Sequence, residues 1–248
     1  MIHYTEQYFI SPTHPITIAL IGCGGTGSSV LTGLARLDAA LIQLGHPGFF
    51  VRVYDPDVVE DHNVGRQMFS PYEVGHNKGT VLVGRLNRAF GLNWENVPEE
   101  YDEGDPNNLI ITCVDEGKVR LHIAGLLKEG RSFQPEYQKY FYWLDFGNSR
   151  KSGQVVLGTL QEIKQSNKKG ISSLPTIAEL YPEELKKEEP QEPSCSLAVA
   201  LDKQDLFINS TLANLGLNLL WTMFREMKIV YHGFFLNLES LQINPLKI

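Results

Sequence analysis

The stretch that decides the fold runs from Ile16 to Gly27, ITIALIGCGGTG. Its first half is a short apolar run rich in β-branched residues, closed by Gly22, and predicts a buried strand. Its second half spells G-x-G-x-x-G at Gly22, Gly24 and Gly27, with a further glycine at Gly25. Beyond it, Val30, Leu34, Leu37 and Leu41 recur at helical spacing until GHPG at 45–48 stops the helix. A glycine turn between strand and helix lets the backbone approach a phosphate closely. It also aims free N–H groups and the positive end of the helix dipole at that phosphate. The same glycines suit close helix–sheet packing, so the residues around them decide between the two uses.

Working outward, Phe49–Asp55 predicts a second strand, Lys78–Phe90 a helix, Leu109–Asp115 a third strand and Lys118–Leu127 another helix. Tyr140–Gly147 and Gln154–Leu160 follow as strands so close together that antiparallel pairing is expected. Alternating strands and helices predict an α/β fold, Rossmann-like, with a mostly parallel sheet and helices on both faces. Residues 161–194 are rich in charge and proline and predict an exposed crossover loop, with one helical turn near Ile177–Leu180. Leu206–Met227 predicts a long helix, and the last two apolar runs predict C-terminal strands that extend the sheet antiparallel. Residues 1–15 read as a polar arm. The chain is thus expected to be one domain over 1–248, with a nucleotide-binding core at 15–160 and a C-terminal part at 195–248.

The length of 248 residues supports a sizeable core. Lys plus Arg number 22 against 29 Asp plus Glu, a net charge of −7, which argues against general nucleic-acid binding. Three cysteines without a CxxC pair exclude a disulfide scaffold and a cysteine-built structural zinc. The apolar stretch Leu212–Phe224 is short and broken by Asn214 and Asn218, so no membrane span is expected. With no signal-peptide pattern at the start, a cytoplasmic location is expected.

The acid at the end of the second strand, Asp55, stands where a dinucleotide fold holds ribose hydroxyls. It lies further from the glycines than the usual spacing of about 20 residues, because the first helix and its loop are long. Behind it runs DPDVVEDHNVGRQ, which contains Asp57, Asn63, Arg66 and Gln67, and Lys78 opens the next helix. A hydride-transferring enzyme has no need of this cluster. An arginine fork and a lysine point charge suit a polyphosphate. Asp115, beyond the third strand, lies where open α/β sheets bind ligands and could hold Mg²⁺ or cap the next helix. Arg120 reads as a structural or surface cation, Cys23 and Cys113 as core-facing, His62 and His76 as polar loop residues, and His232 as a core histidine.

These residues together resemble the ThiF/MoeB/HesA family, relatives of the adenylation half of ubiquitin-activating enzymes. The resemblance rests on GCGGTG at 22–27, D-x-D-x5-N-x2-RQ at 55–67, Lys78 and the strand-end CVD at 113–115. It is strong over about residues 15–160. Within the family the chain looks most like the ThiF-type member of the PRTRC system. The resemblance implies ATP-dependent adenylation of the C-terminal carboxylate of a small ubiquitin-like, β-grasp protein, with pyrophosphate released. It implies that Gly22, Gly24, Gly25 and Gly27 line the nucleotide and that Asp55 holds ribose. Asn63, Arg66 and Lys78 would contact phosphates, with Asp57 and Gln67 beside them, and Asp115 would bind Mg²⁺. It also implies a homodimer and a possible nucleophile at Cys195, in Pro-Ser-Cys-Ser, against the alternative of a small packed thiol.

Four departures from the family pattern stand out. No Lys or Arg precedes Arg36, where the family often carries an arginine that reaches a partner subunit's phosphates. The CxxC zinc site is missing, Glu116 replaces the usual Asn, and the first helix is long. The alternatives are a non-catalytic nucleotide-binding module that docks a partner, and an NAD-dependent oxidoreductase.

Overall fold

The computed structural model describes residues 1–102, 107–127, 135–187, 199 and 204–248. Its ten strands among these residues are β1 (His3–Tyr4), β2 (Ile16–Ile21), β3 (Phe49–Tyr54), β4 (Glu95–Val97), β5 (Leu109–Thr112), β6 (Tyr142–Asn148), β7 (Ser152–Thr159), β8 (Lys228–Ile229), β9 (Tyr231–Asn237) and β10 (Gln242–Lys247). The helices are α1 (Gln7–Ile10), α2 (Gly25–Gln43), α3 (Lys78–Phe90), α4 (Gly117–Leu127), α5 (Ile177–Leu180), α6 (Pro182–Lys187) and α7 (Ile208–Glu226).

Eight strands form one sheet in the order β10-β9-β7-β6-β5-β2-β3-β4. The run from β6 to β4 is parallel. β7, β9 and β10 add on antiparallel, as the sequence predicts. β10 is the outer edge, and Pro245 lies within it, since a proline is tolerated in a sheet chiefly at an edge. The strands alternate between two cores. In β2, Ile16, Ile18 and Leu20 enter one cluster with α2, α3 and α7, while Ala19 and Ile21 enter the other with α4, α5 and α6. A sheet buried on both faces needs such unbroken apolar strands. Chain order reverses between β2 and β5, which opens a crevice at the carboxyl ends of the parallel strands. No helix among the described residues is long and apolar enough to cross a membrane.

Two segments differ from the sequence expectation. The polar arm is built into the fold: β1 pairs with β8, and Phe9 is fully buried against Phe141, Tyr142 and Phe224. Burial of one such ring stabilises by roughly 2–3 kcal/mol, which is enough to anchor a short segment whose polar composition hides it. His3 is buried too, with Nδ1 2.7 Å from the Ile171 carbonyl and Nε2 3.0 Å from the Tyr142 hydroxyl. The expected loop at 161–194 is described as far as Lys187, and there it is not simply exposed. Ile163, Leu174, Ile177 and Leu185 are buried, and Thr176 and Glu179 close a capping box on α5. Four apolar residues spaced widely through a charged stretch leave no periodic signal. The short strand β4 is likewise absent from the sequence expectation.

Candidate active site

A pocket of about 970 Å³ opens at the carboxyl ends of β2, β3, β5 and β6. Gly22, Gly24, Gly25, Asp55, Asp57, Asn63, Arg66, Gln67, Lys78 and Asp115 all line it. Gly27 does not line it. A Cβ there would collide with the Gly22 carbonyl, so Gly27 serves the tight turn rather than the cavity. Gly22 takes a positive φ of 87°, and a Cβ would come within 2.9 Å of the Cys113 carbonyl oxygen. The glycine loop and the β5 loop therefore touch backbone to backbone.

Asp55 is buried and spans the loop. Its Oδ2 accepts from the Cys23 N–H at 2.5 Å, and its Oδ1 accepts from the Asp57 N–H at 2.9 Å. Burial pushes its carboxyl above the usual carboxylate range, against the opposing pull of Lys78 and the two N–H groups. Each oxygen keeps a further lone pair for a hydroxyl. Lys78 is held at the start of α3, whose N-cap Asn77 accepts from the Thr80 N–H and donates to the Asp55 and Asp57 carbonyls. Its Nζ lies 2.8 Å from the Asp57 carboxylate, which is itself largely exposed.

Residues 60–67 aim the arginine. Glu60 and Asn63 form a reciprocal capping box, and the Asn63 carbonyl accepts from the Gln67 and Arg66 N–H groups. Asn63 thus shapes the turn as well as lining the pocket. Arg66 donates from Nη1 to Gln204 Oε1 at 2.8 Å. Among the described residues its buried Nε has no acceptor, and the buried Oε1 of the adjacent Gln67 has no donor. A buried donor or acceptor without a partner costs about 1–3 kcal/mol, so an unpaired donor and an unpaired acceptor on neighbouring residues of the pocket wall mark a place built for something else. Burial lowers the proton affinity of the Arg66 guanidinium, which stays a cation.

Asp115 is exposed on the wall just past β5. The strand ends at Thr112, three residues short of the sequence expectation, which puts Cys113–Asp115 in the loop. Arg120 braces that loop through a bond from Nη2 to the Val114 carbonyl at 2.6 Å. The same side chain donates to Asp145 and to the Phe146 carbonyl. Cys23 is fully buried, Cys113 packs against the core and also lines the pocket, and burial pushes both thiols up. His62 lines the pocket beside Glu60, while His76 lies outside it. His232 is a core histidine, with Nδ1 3.0 Å from the Leu157 carbonyl. Cys195 lies outside the described residues.

The motifs omit part of the pocket. Asn148, at the end of β6, Gln204, just before α7, and Asn209, in the first turn of α7, line the pocket as well. They belong to no local motif, and only the closing of the sheet brings them to the glycine loop. Tyr54, Tyr101, Val114, Val119 and Ile123 line it as well, with Glu100, Lys118 and His122 beside them. Among the described residues no three His, Cys, Asp or Glu side chains cluster as a ready metal site. A Mg²⁺ ion bound chiefly through nucleotide phosphates needs only one or two carboxylates, and Asp115 is of the right kind.

No curated protein matches the chain in sequence. Solved structures match in fold. PaaA superposes with a TM-score of 0.59 at 14% identity, covering 94% of this chain and 64% of its own. E. coli MccB solved with ATP gives a TM-score of 0.58 at 14% identity, covering 97% and 65%. E. coli MccB solved with MccA gives 0.57 at 14% identity, covering 98% and 65%. The chain therefore spans a little under two thirds of the length of these proteins. Residues 14–132 match the sequence profile of the ThiF family. This segment runs from β2 through the glycine loop, the Asp55–Lys78 cluster and Asp115 to α4, and it matches the ThiF family model.

Proposed function

We propose that the chain is an ATP-dependent adenylyltransferase that activates a carboxylate. The observation that carries this is the unpartnered Nε of Arg66, buried in the wall of a pocket floored by a glycine loop. A phosphate oxygen supplies the acceptor that this donor lacks, and the α2 N-terminus adds its own field. The ThiF family match and the likeness to MccB, solved with ATP and with MccA, support the same conclusion.

In this proposal ATP lies with its ribose at Asp55 and its phosphates between the glycine loop, Arg66 and Lys78. Lys78 leaves Asp57 to meet phosphate, an exchange made easy by the exposure of Asp57. Asp115 would hold Mg²⁺, which when bound neutralises phosphate charge. The carboxylate oxygen of the acceptor attacks the α-phosphorus. That P–O bond forms as the bond to the bridging oxygen breaks, and the electron pair leaves on pyrophosphate without a net proton change. The contribution of Arg66 and Lys78 is charge stabilisation at fixed positions. The acceptor is a small β-grasp protein with a free C-terminal glycine, by the family resemblance, and the working unit is a homodimer. The PRTRC likeness rests on sequence resemblance alone. Cys195 is the candidate to take the acyl group from the adenylate as a thioester, with AMP leaving.

The test is exchange of labelled pyrophosphate into ATP, run with a panel of purified β-grasp proteins. Exchange that requires one of them, and is lost on removal of its last residue, is the expected result. ATP binding without exchange for any acceptor carboxylate would replace the enzyme with a nucleotide-binding module. Binding of NAD in preference to ATP would replace it with redox chemistry.

A further inference from the structure

Gln204 and Asn209 stand outside every motif of the family segment, yet they connect its two halves. Gln204 Oε1 accepts from Arg66 Nη1 at 2.8 Å and from Asn209 Nδ2 at 3.3 Å. Asn209 is 3% exposed, and its Oδ1 accepts from Thr26 Oγ1 at 2.8 Å and from Asn148 Nδ2 at 2.7 Å. Its carboxamide lies directly on Gly25, where an added Cβ would come within 2.9 Å of Asn209 Cγ. Gly25 thus lacks a side chain because an amide from α7 occupies that place. By contrast, a Cβ on Gly24 would meet nothing closer than 4.0 Å.

The chemistry of the link matters as much as its geometry. A guanidinium can be fixed by a carboxylate or by an amide oxygen. A carboxylate here would neutralise Arg66 and compete with any phosphate that approached it. An amide oxygen orients the fork and leaves its charge uncancelled. Gln204 spends both lone pairs of Oε1 on this task, and Asn209 spends both of its own on Thr26 and Asn148. The result is an uncharged bridge from the first turn of α2 to the arginine.

We propose that Gln204 and Asn209 are positioning residues for the phosphates beyond the α-phosphate, holding Arg66 at a fixed offset from the glycine loop. This rests on the pocket being an ATP site. Neither residue needs to touch ATP, because their effect runs through Arg66 and Gly25.

The experiment is calorimetric titration of the full chain with ATP–Mg²⁺ and separately with AMP, which lacks the phosphates concerned. Wild type is compared with Gln204→Glu and Asn209→Asp. Both variants keep the side-chain shape, and melting temperatures check that they fold. Gln204→Glu puts a competing carboxylate on Arg66. Its expected effect is a loss of about tenfold or more in ATP affinity, the scale of one charge-assisted hydrogen bond, with AMP affinity changed less than about twofold. Asn209→Asp removes the donor to Gln204 and is expected to weaken ATP in the same direction by a smaller factor. Equal losses for ATP and AMP, or a lowered melting temperature with both affinities intact, would overturn the positioning role. A wild type that binds neither ATP nor AMP would overturn the ATP site itself, which is a separate result.

Discussion

Two arginines serve the pocket in different ways: Arg66 lines it and Arg120 braces the β5 loop that walls it, and their surroundings could hardly differ more. Arg120 is 2% exposed and donates from Nε to Asp145 and from Nη2 to the Val114 and Phe146 carbonyls. No buried donor of it lacks an acceptor. Asp145 in turn accepts from Thr112, whose hydroxyl also accepts from the Trp143 indole N–H. Among the described residues Arg66 has an amide partner at Nη1 and a buried Nε with none. A charge that is fully engaged holds structure together, whereas a charge aimed into a cavity with a donor to spare is set for a ligand. Residue type alone does not tell the two apart; an unpartnered atom counts toward a ligand only where it also faces the pocket, since the buried Oδ2 of Asp145 has no partner among the described residues either and lies outside that pocket.

The comparison breaks most visibly at Arg120. Arg120→Met leaves Asp145 as a buried charge without its counterion, and such losses run to about 3–5 kcal/mol. Thermal melting is expected to fall by roughly 10 °C, with nucleotide binding lost along with the fold. A melting temperature within about 2 °C of wild type would show the network to be dispensable.

Arg66→Ala is expected to do the reverse. It deletes an unsatisfied buried donor, so melting changes by no more than about 2 °C, while ATP affinity falls by about tenfold to a hundredfold. A large drop in melting temperature for this variant would place Arg66 with Arg120 as a structural cation.

Acid separates the two regions without a mutation. Burial lowers the pKa of His3, His46 and His232 below the ordinary histidine value. The unfolded chain then binds more protons than the folded one, so stability is full above the unfolded pKa of about 6.5 and is lost as pH falls through the folded values. Melting temperature is expected to decline from pH 7 to pH 5, with His3→Gln reducing the slope. Arg66 does not titrate there, so phosphate affinity measured well below the melting temperature should hold at pH 6. A slope left unchanged by His3→Gln would contradict the burial of that ring as a neutral group.

The smallest effect is expected at Asp57. Its pair with Lys78 has an exposed partner and contributes at most about 1 kcal/mol. Asp57→Asn frees Lys78 for phosphate and is expected to tighten ATP by a factor of about two to five. Weaker binding would mean that Asp57 itself contacts the ligand.

Much of this was legible in the chain. The glycine loop, Asp55, Arg66, Lys78 and Asp115 are close in sequence to the strand ends that carry them, and strand-end placement follows from the α/β pattern. Gly27 is the exception, because a glycine required for packing and one required for a ligand look alike in a motif. Asn148, Gln204 and Asn209 could not be found this way. They reach the pocket through β6 and α7, which the sheet order brings beside β5 and α2. The docked arm at 1–15 was hidden for another reason: one buried phenylalanine and one paired histidine anchor it, with no periodicity to announce them.

The most direct measurement is calorimetric titration of ATP–Mg²⁺ into the wild-type chain and into Arg66→Ala, with melting temperatures recorded for both. Saturable binding of one ATP per chain, weakened about tenfold or more in the variant at unchanged melting temperature, is the predicted result. Equal ATP affinity in the two proteins would contradict the assignment of Arg66 as the cation set aside for phosphate.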